Sequence, residues 1–115
     1  MRVIARMNVG GPAVQVSGLM RGLNSSEFDH RLYTGFCDVD EADYLDSIAT
    51  DVKAIRIACL GRRVSFSGDI KAFISLVKAI REFKPHVIHT HTAKAGFLGR
   101  IASLASLQKS IRVHT

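Results

Sequence analysis

Apolar residues recur along this chain in two alternating rhythms, short β-rich runs and longer stripes at helical spacing. Val3, Ile4, Ala5 and Met7 form a run over residues 3–7 that breaks at Asn8-Val9-Gly10-Gly11, predicting a strand followed by a tight turn. Val16, Leu19, Met20 and Leu23 then recur at the spacing of one helical face, with Pro12 suited to the first turn. Residues 29–36 predict a second strand, residues 38–46 an acidic loop running into a short helix through Tyr44, Leu45 and Ile48, and residues 53–57 a third strand. A helix starting near Ser67 and Asp69 is expected to bury Ile70, Phe73, Ile74, Val77 and Ile80 and to end at Pro85. Residues 87–90 predict a fourth strand. From Thr92 a further helix carries Phe97, Leu98, Ile101, Leu104 and Ala105, with Gly96, Gly99 and Ala102 permitting close approach to a sheet. Residues 111–114 begin a fifth strand.

Strands separated by helical segments of about a dozen residues imply right-handed crossovers and a doubly wound, Rossmann-like α/β fold with a parallel sheet. In the order 3-2-1-4-5, strands one and four are neighbours, and the crevice between their carboxyl ends is the topological switch point where ligands bind. Two unusual segments converge there, Asn8-Val9-Gly10-Gly11-Pro12 and His89-Thr90-His91-Thr92.

Composition narrows the class. With 115 residues and 47% hydrophobic content the chain forms one domain, residues 1–115, and is not disordered. Lys71, Lys78 and Arg81 interrupt the most apolar stretch, so no membrane span is expected, and Arg6 cuts short any signal sequence, so a cytoplasmic location is expected. Cys37 and Cys59 are too few for a disulfide framework or zinc site and are expected as buried thiols. Residues 1–51 carry four basic and eight acidic side chains, and residues 52–115 twelve basic and two acidic. That basic half predicts an anionic partner. The aromatic interleaving of a single-strand binder is missing, so nucleic acid is not the expected partner.

Gly10 and Gly11 stand at a strand-to-helix turn, where bare backbone and free helix-start amides favour an anion. The dinucleotide pattern Gly-x-Gly-x-x-Gly is absent, and Asp38 and Asp40 read as a solvated acidic loop. His89 and His91 share one side of an extended segment; with no third ligand they do not form a metal site, and His91 is expected to emerge into the cleft as an acid–base or hydrogen-bonding group. Lys94, in a first helical turn where a cation opposes the helix dipole, needs a separate reason for its position, which an anionic or polyol ligand would supply.

With residues 8–13 (Asn-Val-Gly-Gly-Pro-Ala), 84–96 (Lys-Pro-His-Val-Ile-His-Thr-His-Thr-Ala-Lys-Ala-Gly) and 112–115 (Arg-Val-His-Thr), the chain resembles the N-terminal domain of a GT-B glycosyltransferase of family 4 along its whole length. His86 departs from the family's usual aspartate at the start of a strand. The resemblance implies the acceptor-side half of a retaining, hexosyltransferase-type enzyme that moves a sugar from a nucleotide-diphosphate donor to a hydroxyl, on a lipid-linked or polysaccharide-precursor glycan. It further implies no metal or other cofactor. By resemblance, Gly10 and Gly11 approach the donor diphosphate, Asn8, His91 and Lys94 line the acceptor pocket, and His91 serves catalysis. The chain would then stop within or just after its fifth strand and lack the C-terminal donor-binding domain, leaving residues 1–115 inactive alone. A peripheral location at the anionic inner face of the membrane follows as an expectation from the basic half. The alternatives are half of a non-hydrolysing UDP-sugar 2-epimerase and a non-catalytic nucleotide-binding Rossmann domain.

Overall fold

The computed structural model describes residues 1–23 and 25–115. Strands β1 (Arg2–Ile4), β2 (Leu32–Thr34), β3 (Ile55–Arg56), β4 (Val87–His91) and β5 (Ile111–His114) alternate with helices α1 (Gly11–Gly22), α2 (Tyr44–Ser47), α3 (Phe66–Phe83) and α4 (Ala93–Ser106). They form one all-parallel sheet in the order β3-β2-β1-β4-β5, the doubly wound Rossmann-like arrangement that the alternating rhythms predict. β1, β2 and β3 are shorter than the apolar runs, whereas β4 extends one residue further and β5 matches. Ala5 already leaves the ladder, its amide donating to Thr92 Oγ1 while its carbonyl accepts from Gly35 N.

Side chains of β1 alternate between two cores, one on each face of the sheet. Val3 and Ala5 join Tyr33, Ile88, Leu76, Ile80 and Leu98 beneath α3 and α4. Ile4 joins Leu32, Val16, Ala13, Tyr44 and Leu45 beneath α1 and α2. Each fully buried Leu or Ile contributes roughly 1.5–3 kcal/mol of transfer free energy.

Two helices are rotated part-way from the faces expected: Phe73, Val77 and Ile80 on α3 and Leu98 and Ile101 on α4 pack on the core as expected, but the other expected residues do not. On α3 the buried row is Ala72, Leu76, Ala79 and Ile80, while Ile70 and Ile74 are 43% and 59% exposed. On α4 the buried face is Ala95, Gly96, Leu98, Gly99, Ala102, Ser103 and Ser106, while Phe97 and Leu104 face outward. The cause is close approach: small residues bring helix axes nearer to each other and to the sheet, and the stronger dispersion attraction at short range outweighs burial of larger side chains held farther away. Arg81 then ties the two helix ends together, its guanidinium donating to the carbonyls of Ala105 and Ser106. Pro85 follows α3 as expected, after Lys84 closes the helix in a left-handed conformation (φ 50°). The cysteines also differ from expectation, since Cys37 is half-buried and Cys59 is exposed.

Gly99 shows how tightly α4 is seated, because a Cβ there would lie 2.6 Å from Thr90 Cγ2 on β4. Gly99→Ala is expected to lower unfolding stability by about 1–2 kcal/mol, overpacking outweighing the better helix propensity of alanine. Urea denaturation measures this, and an unchanged midpoint would show that the helix rides loosely on the sheet.

Candidate functional site

β1 and β4 pair in parallel, with Ile4 opposite His91, so the loops leaving both strands start side by side. Thr92 joins them. Its backbone sits at φ 72° and ψ 152°, a strained conformation for a β-branched residue, and its hydroxyl accepts from Ala5 N at 3.3 Å. On the other flank the β1 loop is held by the segment before α2: Val9 N donates to Ala42 O at 3.1 Å, Tyr44 N donates to Met7 O at 2.7 Å, and Asn8 bridges to Asp43. The switch point is therefore built from three fixed segments, residues 5–11, 42–44 and 91–93.

The helix starts divide into two kinds. α2 and α3 are capped by Asp43 and Ser65, whose side chains accept from Leu45 N and Gly68 N, and each carries an acid in its first turn, Asp46 and Asp69. α1 and α4 have no side-chain cap and no acid in the first turn. These are the two helices that begin at the switch point, so their orphan amides and dipoles point positive partial charge at it with nothing of their own to neutralise it. Gly10 is extended (φ 167°), and a Cβ on Gly11 would meet nothing within 4 Å. Neither backbone strain nor packing within the described residues requires these two glycines. The opposite holds at Gly35, just past β2, where a Cβ would lie 2.5 Å from both Ala5 O and Gly61 N.

His91 does not emerge into the cleft as the sequence suggests. It is 1% exposed, and neither ring nitrogen has a hydrogen-bond partner among the described residues. Its ring lies 4.1 Å from that of His89, whose Nε2 hydrogen-bonds Thr115 Oγ1 at 2.7 Å. Burial first, then the positive charges of His89, Arg2 and His114, push its pKa down to about 4. At neutral pH the imidazole is uncharged, able to donate or accept a hydrogen bond but not poised to transfer a proton. Arg2 shares this buried face, with its guanidinium Nη1 3.3 Å from His30 Nδ1 and no carboxylate partner among the described residues.

Lys94 has its separate reason within the chain. Nζ lies 2.8 Å from Asp69 Oδ1 and donates to the carbonyls of Cys59, at 2.9 Å, and Arg63. The lysine ties the start of α4 to the start of α3.

The acidic loop is likewise more than a solvated segment. Glu41 Oε1 lies 2.7 Å from Arg6 Nε and 3.8 Å from Arg62, Asp43 lies 2.9 Å from Arg56, and Asp38 lies 3.6 Å from Arg63. Asp40 stays exposed. Beside this network a cleft of about 410 Å³ is lined by Cys37, Asp38, Cys59, Arg62, Arg63 and Ser65. There burial, reinforced by Asp43, pushes the Cys37 thiol up to about 11, which favours the protonated form at neutral pH. Glu41 and Asp43 are absent from the sequence-based site, and Thr92 enters it only as part of a segment and not as the residue that ties β4 to β1. The signals that could have found them are a threonine closing a strand directly before a helix, and an aspartate one residue before an apolar helix start.

A family model described as a glycosyl transferase 4-like domain matches residues 10–114. A UDP-Gal:alpha-D-GlcNAc-diphosphoundecaprenol alpha-1,3-galactosyltransferase of Escherichia coli is 43% identical over 61 residues, which cover 53% of this chain and 15% of that protein. The apo structure of the lipopolysaccharide outer core galactosyltransferase WaaB superposes on 99% of this chain with a TM-score of 0.68 at 14% identity, and the match covers 32% of the WaaB chain. The chain thus spans a minor part of the length of both.

Depressed to about 4, the His91 pKa lies below its unfolded value near 6.5, so the unfolded state binds the extra proton between those values. Stability is fully present above about pH 6.5 and falls by up to about 3 kcal/mol as the pH drops through 4. His89 and His30 are also lowered, chiefly by burial, and add to the trend. Thermal melts between pH 7 and pH 4 are expected to show this loss, with a flatter profile for His91→Leu; equal slopes would show that other groups dominate.

Proposed function

The chain belongs to the glycosyl transferase 4-like domain family, and from that premise we propose that it is the acceptor-side domain of a glycosyltransferase completed by a donor-binding domain outside residues 1–115. The observation that carries this reading is the pair of uncapped, acid-free helix starts of α1 and α4, facing one switch point beside the open backbone of Gly10 and Gly11. An anion fits there, and a nucleotide-diphosphate sugar provides one whose charge grows as the glycosidic bond breaks. Fixed amide dipoles already aimed at that charge stabilise the departing diphosphate without reorganising.

In this account the transfer is of the retaining, hexosyl type. Asn8 stands at the acceptor side, on the loop held by Asp43. His91 is buried at the end of β4 as a neutral group, and its two unpartnered ring nitrogens, which cost roughly 1–3 kcal/mol, would meet an acceptor hydroxyl only if the β4–α4 turn opened on binding. Lys94 acts through position, fixing the start of α4 against α3. The E. coli relative is named for a diphosphoundecaprenol-linked acceptor, which supports a lipid-linked glycan precursor as the acceptor class here, with work at the cytoplasmic face of a membrane and polysaccharide biosynthesis as its setting.

Transfer from UDP-galactose to a lipid-diphosphate-linked sugar by the full-length protein tests the reading. Gly11→Val is expected to cut kcat by about tenfold or more, because its side chain would fill the space the phosphates need, while the melting temperature changes little. Full activity in that variant would reduce the Gly-Gly loop to a turn. Epimerisation of the UDP-sugar without an acceptor would replace transfer by the epimerase alternative. Turnover by residues 1–115 alone would overturn the two-domain account.

A further inference from the structure

We infer that the cavity at the amino edge of the sheet, opposite the switch point, is a binding site for a small organic acid, a single carboxylate carried on an apolar body. About 550 Å³ in volume, the cavity lies between the starts of β1 and β4, the ends of α1 and α3, and residues 27–30. That is the size of a small-molecule pocket. Leu23, Phe28, Phe83, Pro85 and Val87 give it an apolar wall, and Arg2 and His89 line it from the sheet. Arg2 is paired with His89 two residues before the pairing of Ile4 with His91 that fixes the switch point. The two sites thus occupy opposite ends of one strand pair.

Arg2 selects the ligand. It is only 8% exposed, and a buried charge loses its hydration with nothing in return unless an opposite charge meets it. Among the described residues no carboxylate does. Nη1 has two uncharged neighbours, Met20 Sδ at 3.6 Å and His30 Nδ1 at 3.3 Å, and Nε is enclosed with no partner. Nη2 makes no hydrogen bond among the described residues and is not enclosed, which leaves it open to a ligand in the cavity. Burial first, then Arg2 itself, pushes the pKa values of His30 and His89 down, so neither competes with the guanidinium for an anion at neutral pH. The carboxyl ends of α1 and α3 also point to this edge and offset part of the charge, yet none of their carbonyls accepts from the guanidinium among the described residues. At the rim, exposed Lys84 and His86 are set against exposed Glu27 and Asp29, where water and salt screen them all. Two rim carboxylates disfavour a dianion. One carboxylate matches the one enclosed guanidinium, with which it forms charge-assisted hydrogen bonds, and the apolar wall covers the body that carries it.

Calorimetric titration of the full-length protein with benzoate tests the site. Benzoate is expected to bind and to raise the melting temperature, and benzyl alcohol and inorganic phosphate to bind at least about tenfold more weakly. Arg2→Met removes the charge and keeps much of the side chain's length, and it is expected to weaken benzoate binding about tenfold or more. Phe28→Ala, at an exposed part of the wall, is expected to weaken it about threefold. Without ligand, Arg2→Met is expected to melt at or above the temperature of the parent, because an apolar group has replaced an unpaired buried charge. Gly11→Val, at the opposite edge, is expected to change benzoate binding less than about twofold. A clear drop in the unliganded melting temperature of Arg2→Met would show that the chain itself meets this charge and would overturn the site. So would no binding of benzoate, equal affinity for benzyl alcohol, tighter binding of phosphate, indifference to Arg2→Met or Phe28→Ala, or loss of benzoate binding in Gly11→Val. None of these readouts depends on sugar transfer.

Discussion

Parallel pairing of β1 with β4 is the constraint on which the remainder of this structure depends. The register that sets Ile4 opposite His91 places two strand ends, far apart in sequence, within one hydrogen bond of each other through Thr92 and Ala5. Because both strands end at the same level, the helices that follow them start at the same level, and their dipoles converge. That pairing requires α4 to lie close over β4, which only its small face allows. Gly99 against Thr90 is thus a condition for the site as well as for the core. The same choice of face leaves Phe97 and Leu104 outside, so the packing that builds the switch point also creates the apolar outer surface.

The charge asymmetry of the sequence resolves into two separate structures. Although the acidic half and the basic half are distant in sequence, Glu41, Asp43 and Asp38 reach across to Arg6, Arg56, Arg62 and Arg63 and form a network at the carboxyl edge of the sheet. With Glu41 and Asp43 side chains only 11% and 12% exposed, these pairs hold geometry more than surface ion pairs do. Apart from Lys53 before β3, the cations left over in the basic half lie on the α3–α4 layer and towards β5. An excess of basic residues in the second half therefore does not mark the part nearest the switch point, as sequence position alone would suggest.

The strand order, the placement of both unusual segments and the existence of every helix were legible, because alternation of period and punctuation by Gly10-Gly11, Pro85 and Thr92 is local information. Helix faces were not. Ile70 and Ile74 lie on a helical stripe as convincing as that of Leu76 and Ile80, and only the spacing to α4 and the sheet decides between them. Lys94 was legible as an anomaly, a cation at a helix start, but its partner Asp69 belongs to another helix and no spacing rule connects them. His91 was legible as special, and its burial was not, since that depends on how the rest of the chain packs around the end of β4.

A site made of dipoles instead of side-chain charges has a chemical consequence. Lys94 is the cation nearest the start of α4, and it is committed to Asp69 and two carbonyls, while α1 carries no charged residue in its first turn. An anion at the switch point would meet partial charges on backbone amides of this chain and no full positive charge free to follow it. Amide dipoles fixed at helix starts cannot collapse onto a ligand, so they favour the arrangement of charge for which they are placed over a tighter grip on any anion. For a diphosphate leaving group of the kind proposed, that distinction would separate stabilising a departing charge from merely retaining it. Retention would then fall to cations supplied from outside these helix starts, as the proposed two-domain reading requires.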